Sequence, residues 1–400
     1  MVTMITLESF LKDAFPIIYH ISVTGKCNAS CEGCLNGLIY GERRSFASSW
    51  EEAPEKNFQA INWLLHQTNG NPVFIAFYGG EPLLVFEKVR DIFYRIKNYY
   101  PHKNLKFFLY TNGTLLRKAV EKDPEFFSQL ELLIVSIDGT KDQHERVRKG
   151  TSLDRIEANL EFLKSHSPTK VLMWSTLREE MSFRDCLEEF FNLYQRELVD
   201  FFFWHLIEKD YPIRDFSGFR EGYLKDLTYL FERFVAGLFQ GKFLPVLPLA
   251  ELFFFLLKGI KRGQTGCGIE KMRSFDVLAG KILPCVDMGE ELILTDFRKD
   301  EFKNLDLSKL QDRLLSLVSY KEEVGCNTCE AEFFCGGRCP VLIKTSPERA
   351  KQYCVLIKDL VSLAQSFLPE VKRALKTHNL SEENLYYPYG YLNLLTDVIP

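Results

Sequence analysis

The sequence has no block of basic residues, no apolar leader and no uninterrupted hydrophobic span, and each absence bears on a class of function. Lys and Arg number 50 against 54 Asp and Glu, for a formal net charge of -4. Without a face-wide positive excess to neutralise a phosphate backbone, nucleic acid is not expected as a partner. The N-terminus, MVTMITLESFLKDAFP, carries acidic residues and lacks the apolar core of a secretory signal. The longest apolar stretch, FLPVLPLAELFFFLLKGI, is broken by Pro245, Pro248 and Glu251. Its unbroken pieces are too short to cross a bilayer. A cytoplasmic protein with no membrane partner is the expectation. Internal repeats and low-complexity tracts are missing too.

What the sequence does have is clustered cysteine, 11 in 400 residues. A reducing compartment makes disulfides unlikely partners for these thiols, and their spacing points to metal instead. With 46% hydrophobic residues, the chain can bury a large core and form two or more domains, or one barrel with an extension.

Six β-rich runs follow one another at 17–25, 72–80, 105–113, 130–139, 170–177 and 199–207. Four are nearly continuous in apolar residues, as parallel strands covered on both faces are. Amphipathic stretches lie between them at 50–68, 84–99, 114–129, 152–166 and 181–196. In the fourth, Leu153, Ile156, Leu160 and Leu163 recur at three- and four-residue steps and give one apolar helical face. This alternation predicts a parallel α/β sheet, open or curved toward a barrel. Functional groups gather at strand ends in such folds. The polar motifs TGKCNASC, YGGEPL, TNGTLL and SIDGTKDQHERVRKG stand there, after the first four runs. Residues 208–263 read as a helical, aromatic connector, and the character changes near 264, where seven of the cysteines follow.

Cys27, Cys31 and Cys34 form C-x3-C-x2-C. Three thiolates hold three irons of a cubane and leave the fourth open to a ligand. Zinc with a distant fourth ligand, or a set of buried thiols, also fits this stretch alone. Beyond the next run come Gly79, Gly80, Glu81 and Pro82. Glycines at a strand end let backbone approach a ligand closely, and a carboxylate there can receive an ammonium.

Together these motifs resemble the radical S-adenosylmethionine superfamily. The resemblance implies a partial (β/α)6 TIM-like barrel with a [4Fe-4S] cluster on Cys27, Cys31 and Cys34. It implies that S-adenosylmethionine chelates the open iron and is cleaved reductively to a 5'-deoxyadenosyl radical, with Gly79, Gly80, Glu81, Ser136 and Arg155 as cofactor contacts. TNGTLL and SIDG look like the subgroup that modifies peptides and proteins, including anaerobic sulfatase maturases. Arg155 reads equally as a solvated helix residue, and Asp138 either orients substrate or caps a turn. The family usually has an aromatic residue before its third cysteine. Here that residue is Gly33, and Leu35 follows the cysteine, which leaves adenine stacking unassigned.

The later cysteines read C-x12-G-x4-C from Cys267 through Gly280 to Cys285, then C-x2-C-x5-C-x3-C through Cys326, Cys329, Cys335 and Cys339, then Cys354. A zinc ribbon would leave Cys267 and Cys285 unused. The intervals resemble the SPASM domain, which implies two auxiliary [4Fe-4S] clusters and three in all. By that resemblance Cys326, Cys329, Cys335 and Cys354 ligate one cluster fully. Cys267, Cys285 and Cys339 hold the other with three thiolates and an open iron. The expected division is 1–207 barrel, 208–263 connector, 264–360 SPASM, and 361–400 C-terminal helix with an aromatic tail, YYPYGYLNLL. Cys186 reads as a small buried hydrophobe, and His20, His144 and His205 as satisfied structural histidines.

The expected function is oxidative modification of a ribosomally made peptide, through a thioether or other crosslink. Formylglycine formation on a protein Cys or Ser is the alternative within the class. Maturases place Asp directly after the cysteine equivalent to Cys285, whereas this chain has Val286 there and Asp287 one position later. Asp138 and Asp287 are the candidate catalytic residues. An iron-sulfur electron-transfer protein is the alternative from another class. Expected partners are a peptide or protein substrate and an electron donor such as ferredoxin or flavodoxin. Only 26 residues precede Cys27, so leader recognition is expected to fall to a separate leader-peptide-binding protein, the barrel or the second domain.

Overall fold

The structure is a computed structural model that describes residues 17–34, 52–68, 72–288, 292–299 and 306–386. The N-terminal stretch, Leu35 and the tail beyond Tyr386 lie outside the described residues. Each of the six predicted runs forms a strand: β1 Ile17–Ser22, β3 Val73–Tyr78, β4 Leu105–Thr111, β5 Leu132–Ser136, β7 Val171–Leu177 and β8 Phe201–Leu206. They pair in parallel in that order. Two short strands, β2 Ser30–Cys31 and β6 Arg148–Lys149, pair with each other in antiparallel fashion above this sheet.

Strand parity separates two apolar layers. Tyr19, Ile75, Leu109, Val135 and Met173 point outward into the large core under the crossover helices. Ile18, Phe74, Phe108, Ile134, Leu172 and Phe203 gather into one inner cluster, which Leu247 joins. Burial on both sides is why these runs are apolar at successive positions. The sheet with its covering helices is a mixed α/β fold of the partial TIM-like kind.

The crossover helices begin and end where local chemistry requires. Pro54–Gln67 starts on a proline, whose missing N–H costs nothing in a first turn. The stretch 114–129 is not one helix but two, Leu116–Lys122 and Pro124–Ser128. Pro124 cannot continue the first helix, and the Asp123 carboxylate accepts the Phe126 N–H at 2.9 Å to cap the second. A helix that the sequence pattern does not reveal, Lys141–Val147, lies in the loop after β5.

The cysteine-rich part is built into the same sheet. Among the described residues, β9 Ser274–Leu278 pairs in parallel with β1, matching Ile18 to Ser274 and Ile21 to Val277. β10 Lys281–Leu283 and β11 Thr295–Asp296 then add in antiparallel fashion, giving nine strands in the order β11-β10-β9-β1-β3-β4-β5-β7-β8. The far edge is covered by the connector, where the Phe202 N–H bonds the Pro245 carbonyl at 2.9 Å. One helix, Pro347–Thr377, runs through the boundary drawn at 360. Its buried Arg349 bonds the carbonyl of Ile207 at 3.0 Å and that of Tyr211 at 2.8 Å, which fastens the helix to the end of β8. No helix among the described residues is long and apolar enough to cross a membrane.

Candidate functional site

The loop after β1 is held from three sides. GGEP continues the pairing of β1 with β3: the Gly80 N–H bonds the Thr24 carbonyl and the Glu81 N–H that of Lys26, each at 2.8 Å. A Cβ on Gly80 would collide with the Lys26 carbonyl, so this close approach requires glycine. TNGT reaches the loop through Asn28, whose amide bonds Thr114 Oγ1 at 2.8 Å and accepts from the Asn112 amide at 2.9 Å. The segment after β5 reaches it by main-chain pairing of Cys31 with Arg148, and the Glu32 N–H bonds the Val147 carbonyl at 3.0 Å. The first four rim motifs therefore meet around Cys27, Cys31 and Cys34.

Cys27 is exposed, and Cys31 and Cys34 are half-buried. Partial desolvation of its sulfur pushes the Cys27 thiol up to about 11, with the neighbouring Glu81, Cys31 and Cys34 adding to the rise. Burial also raises Cys31, and Arg148 opposes that rise. Cys27 and Cys31 resist ionisation in the bare protein, and a bound cation would favour their deprotonation. Among the described residues no three Cys, His, Asp or Glu groups converge on one ion. Thiolates on a cubane each take a separate iron, so three thiols at this spacing can hold a cluster with one iron open to a ligand.

Glu81 is bonded within the protein. Its carboxylate is 1% exposed and accepts from the Leu83 N–H at 3.0 Å, Thr111 Oγ1 at 2.8 Å and the Asn112 N–H at 2.7 Å. These three donors fix the carboxylate inside the protein, and its receipt of an ammonium is part of the functional proposal. Burial lifts the carboxyl to about 7 from its ordinary 4.5, against the pull of these three donors. The native state thus holds this proton more tightly than the unfolded chain does. Stability from the site is full below pH 4.5 and is lost as pH rises through about 7. The loss amounts to about 3 kcal/mol. Urea unfolding of the apoprotein should show this decline, and Glu81→Gln should flatten it.

Asp138 is 0% exposed and lies between two guanidinium groups. Arg148 donates to it from Nε at 2.6 Å and Nη2 at 3.2 Å, and Arg178 from Nη1 at 2.7 Å. The Thr176 N–H adds a bond at 2.9 Å. Burial would raise this carboxyl, yet Arg148 and Arg178 hold it down to about 2. So saturated a carboxylate is an organiser rather than an acid or base. Arg178 continues to the Glu32 carbonyl at 3.0 Å, and Arg148 Nη1 stands 4.0 Å from Cys31 Sγ. Arg155 is exposed on the helix Leu153–His166. The arginines at this loop are Arg148 and Arg178 instead, neither of which the sequence reading singled out. A basic residue just past a strand's C-terminal end, as Arg178 is in STLR, was the available signal.

Ser136 ends β5, half-buried, on the parity of Ile134, and faces the inner chamber. Above the apolar floor, His20, Tyr78, Tyr110, Trp174 and His205 form a run of ring contacts across the chamber. His20 Nδ1 lies 3.6 Å from Asp276 of β9, a partner that only the sheet pairing reveals. His144 is satisfied at both nitrogens, by the Asp138 N–H at 3.1 Å and Thr151 Oγ1 at 3.0 Å, and burial lowers it to about 4. Cys186 is 0% exposed beneath this region, and burial raises its thiol.

The later cysteines separate into two groups. Cys326, Cys329, Cys335 and Cys354 line one pocket together with Arg338. Burial raises Cys326 to about 11, and the thiols of Cys335 and Cys354 add to it. Cys354 is carried by the helix that Arg349 fastens to the barrel. Cys267, Cys285 and Cys339 make the other group. Burial drives Cys285 and Cys339 well up, and each of the two also senses Cys267 and the Asp287 carboxylate. The Asp287 N–H points to Cys285 Sγ at 3.4 Å. The Asp276 carboxylate bonds the Val286 N–H at 3.0 Å, so this group is tethered to the strand that pairs with β1.

Residues 21–188 match the family model of the Radical SAM superfamily. An uncharacterized protein of Methanocaldococcus jannaschii is 32% identical over 120 residues, 30% of this chain and 37% of that protein. The radical SAM cyclopropyl synthase TigE of Paramaledivibacter caminithermalis is 24% identical over 190 residues, 45% of this chain. The match spans 37% of the length of each of these curated relatives. Among solved structures, anSMEcpe with bound AdoMet and Cp18Cys peptide aligns at TM-score 0.68 and 21% identity, covering 91% of this chain and 99% of that one. Streptococcus suis SuiB bound to its precursor peptide SuiA aligns at TM-score 0.51 and 17% identity, covering 84% of this chain and 74% of that one. At these identities the structural likeness is one of fold.

Proposed function

We propose that the protein is a radical S-adenosylmethionine enzyme that oxidatively modifies a residue within a ribosomally made peptide, forming a thioether or another crosslink. The observation that carries this reading is the convergence of GGEP, TNGT and the segment after β5 on the loop of Cys27, Cys31 and Cys34. Cys27, Cys31 and Cys34 would hold a [4Fe-4S] cluster, which would supply the electron for reductive cleavage of S-adenosylmethionine to a 5'-deoxyadenosyl radical. Gly79 and Gly80 offer backbone at close range to the cofactor's amino acid end, where the Glu81 carboxylate would receive the ammonium. Ser136 lies on the side of the sheet where the substrate residue would lie, beside the rings of Tyr78, Tyr110 and Trp174. Cys326, Cys329, Cys335 and Cys354 would hold one auxiliary cluster. Cys267, Cys285 and Cys339 would hold the other, with one iron open to a substrate thiolate. The strand pairing of β9 with β1 supports an electron path between chamber and auxiliary group. The fold likeness to proteins crystallised with peptides, anSMEcpe and SuiB, supports a peptide substrate. Residues 264–360 are the proposed SPASM unit, and ferredoxin or flavodoxin the proposed donor.

Formylglycine formation stays as a second reading because of Asp287. Although displaced by one position in the sequence, it lies against Cys285, where a carboxylate could take a proton from a substrate side chain. Co-expression with short peptides encoded beside the gene, followed by intact-mass measurement, separates the two. Loss of two hydrogens is the expected outcome for a crosslink. Exchange of sulfur for oxygen with loss of two hydrogens would mark formylglycine made from Cys. Formylglycine made from Ser would lose two hydrogens as a crosslink does but label with a hydrazide at its aldehyde, and unchanged masses across the encoded peptides would count against both.

A further inference from the structure

We propose that Arg148 sets the reduction potential of the cluster held by Cys27, Cys31 and Cys34, an inference that rests on the cluster reading above. Arg148 is tied to this loop twice, by two independent parts of the residue. Its backbone pairs with that of Cys31 in the β2–β6 ladder, and its side chain sends Nη1 to within 4.0 Å of Cys31 Sγ. The other guanidinium nitrogens, Nε and Nη2, are taken by Asp138, which fixes the plane of the group and aims Nη1 at the sulfur.

The local charge balance gives the direction of the effect. Arg148 and Arg178 bring two positive charges and Asp138 one negative, so the bracket keeps a net positive charge beside the thiolates. The side chains are 11% exposed for Arg148, 2% for Arg178 and 0% for Asp138. Water therefore screens this charge weakly. Reduction adds one negative charge to the cluster, and a fixed cation hydrogen-bonded to a ligand sulfur favours the more negative state. Arg148 accordingly makes the cluster easier to reduce. Arg178 adds charge from further off and donates no bond to the sulfur, since its nitrogens go to Asp138, the Glu32 and Thr176 carbonyls and Met181. Arg148 is thus a positioning and tuning residue, not a catalytic one.

The test is an EPR-monitored redox titration of anaerobic holoenzyme, following the signal that shifts when S-adenosylmethionine is added, for wild type, R148K and R148M. In R148M the ratio of reduced to oxidised cluster at a fixed potential should fall about tenfold, a shift of about 59 mV to the negative for a one-electron couple. Iron content should hold, because the three thiols and the main-chain pairing of residue 148 with Cys31 remain. R148K, which keeps the charge, should recover part of the shift. If R148M loses iron, R148Q repeats the comparison with a neutral side chain that still donates a hydrogen bond. An unmoved potential in an iron-replete neutral variant overturns the inference, as does an R148K shift as large as that of R148M. A wild type with no signal responsive to S-adenosylmethionine overturns the cluster reading itself, and the inference with it.

Discussion

Anaerobic protein given dithionite and S-adenosylmethionine is expected to release 5'-deoxyadenosine, and Cys31→Ala to reduce that release about a thousandfold or more. Cys31 is the middle ligand of the proposed set, and its backbone is the one paired with Arg148. Removing its sulfur leaves two thiolates for a cubane that needs three and the cofactor. Iron should fall by about four of about twelve atoms per chain, because the other two cysteine groups are untouched. The fold should survive, since the ladder joining Cys31 to Arg148 is made of main chain. Chromatographic quantification of 5'-deoxyadenosine with iron analysis of the same samples checks both statements. An electron-transfer protein would bind iron and yield no 5'-deoxyadenosine even as wild type. A variant that loses the iron but keeps the product would place the cofactor chemistry elsewhere.

The largest effect on stability is expected at Asp138. Asp138→Asn removes the one negative charge between Arg148 and Arg178 and leaves two guanidinium groups buried without it. Breaking a buried pair from one side costs about 3–5 kcal/mol. The pH dependence has a definite sign. The folded-state carboxyl sits at about 2 against an ordinary 3.8. Its contribution is therefore complete above the unfolded value and is lost as pH falls through about 2. That part is worth about 2 kcal/mol. Urea unfolding of apoprotein at neutral pH should show the larger loss, and an acid series should show wild type converging on the variant. Equal stability of the two at neutral pH would remove Asp138 as the organiser of the loop.

The barrel half was legible because its signals are local. Strands covered on both faces must be apolar throughout, and helices on one face must repeat at helical spacing, so both periods survive in the sequence. Pro124 was also a local signal, and the two short helices it separates follow from it. The strands β9, β10 and β11 were not legible, since they are five, three and two residues long and owe their existence to β1. The candidate site divides in the same way. Cysteines and glycines announce themselves by spacing. Arg148, Arg178 and Asp276 matter only through partners brought near by strand order. Arg155 was a different case: Ile156, Leu160 and Leu163 set the buried face of its helix, and that phase already turned Arg155 toward water.

The pairing of β9 with β1 also bears on how the chain is made. Strand Ile17–Ser22 leaves the ribosome well before its second hydrogen-bonding partner, Ser274–Leu278, which follows only after about 250 further residues. At about 5–20 residues per second, one edge of a buried apolar strand stays open for tens of seconds during synthesis. An open edge of that kind recruits other chains. Slower initiation or a lower growth temperature, which thin the crowd of nascent chains, should therefore raise the soluble yield more than faster elongation of the cysteine-rich half does.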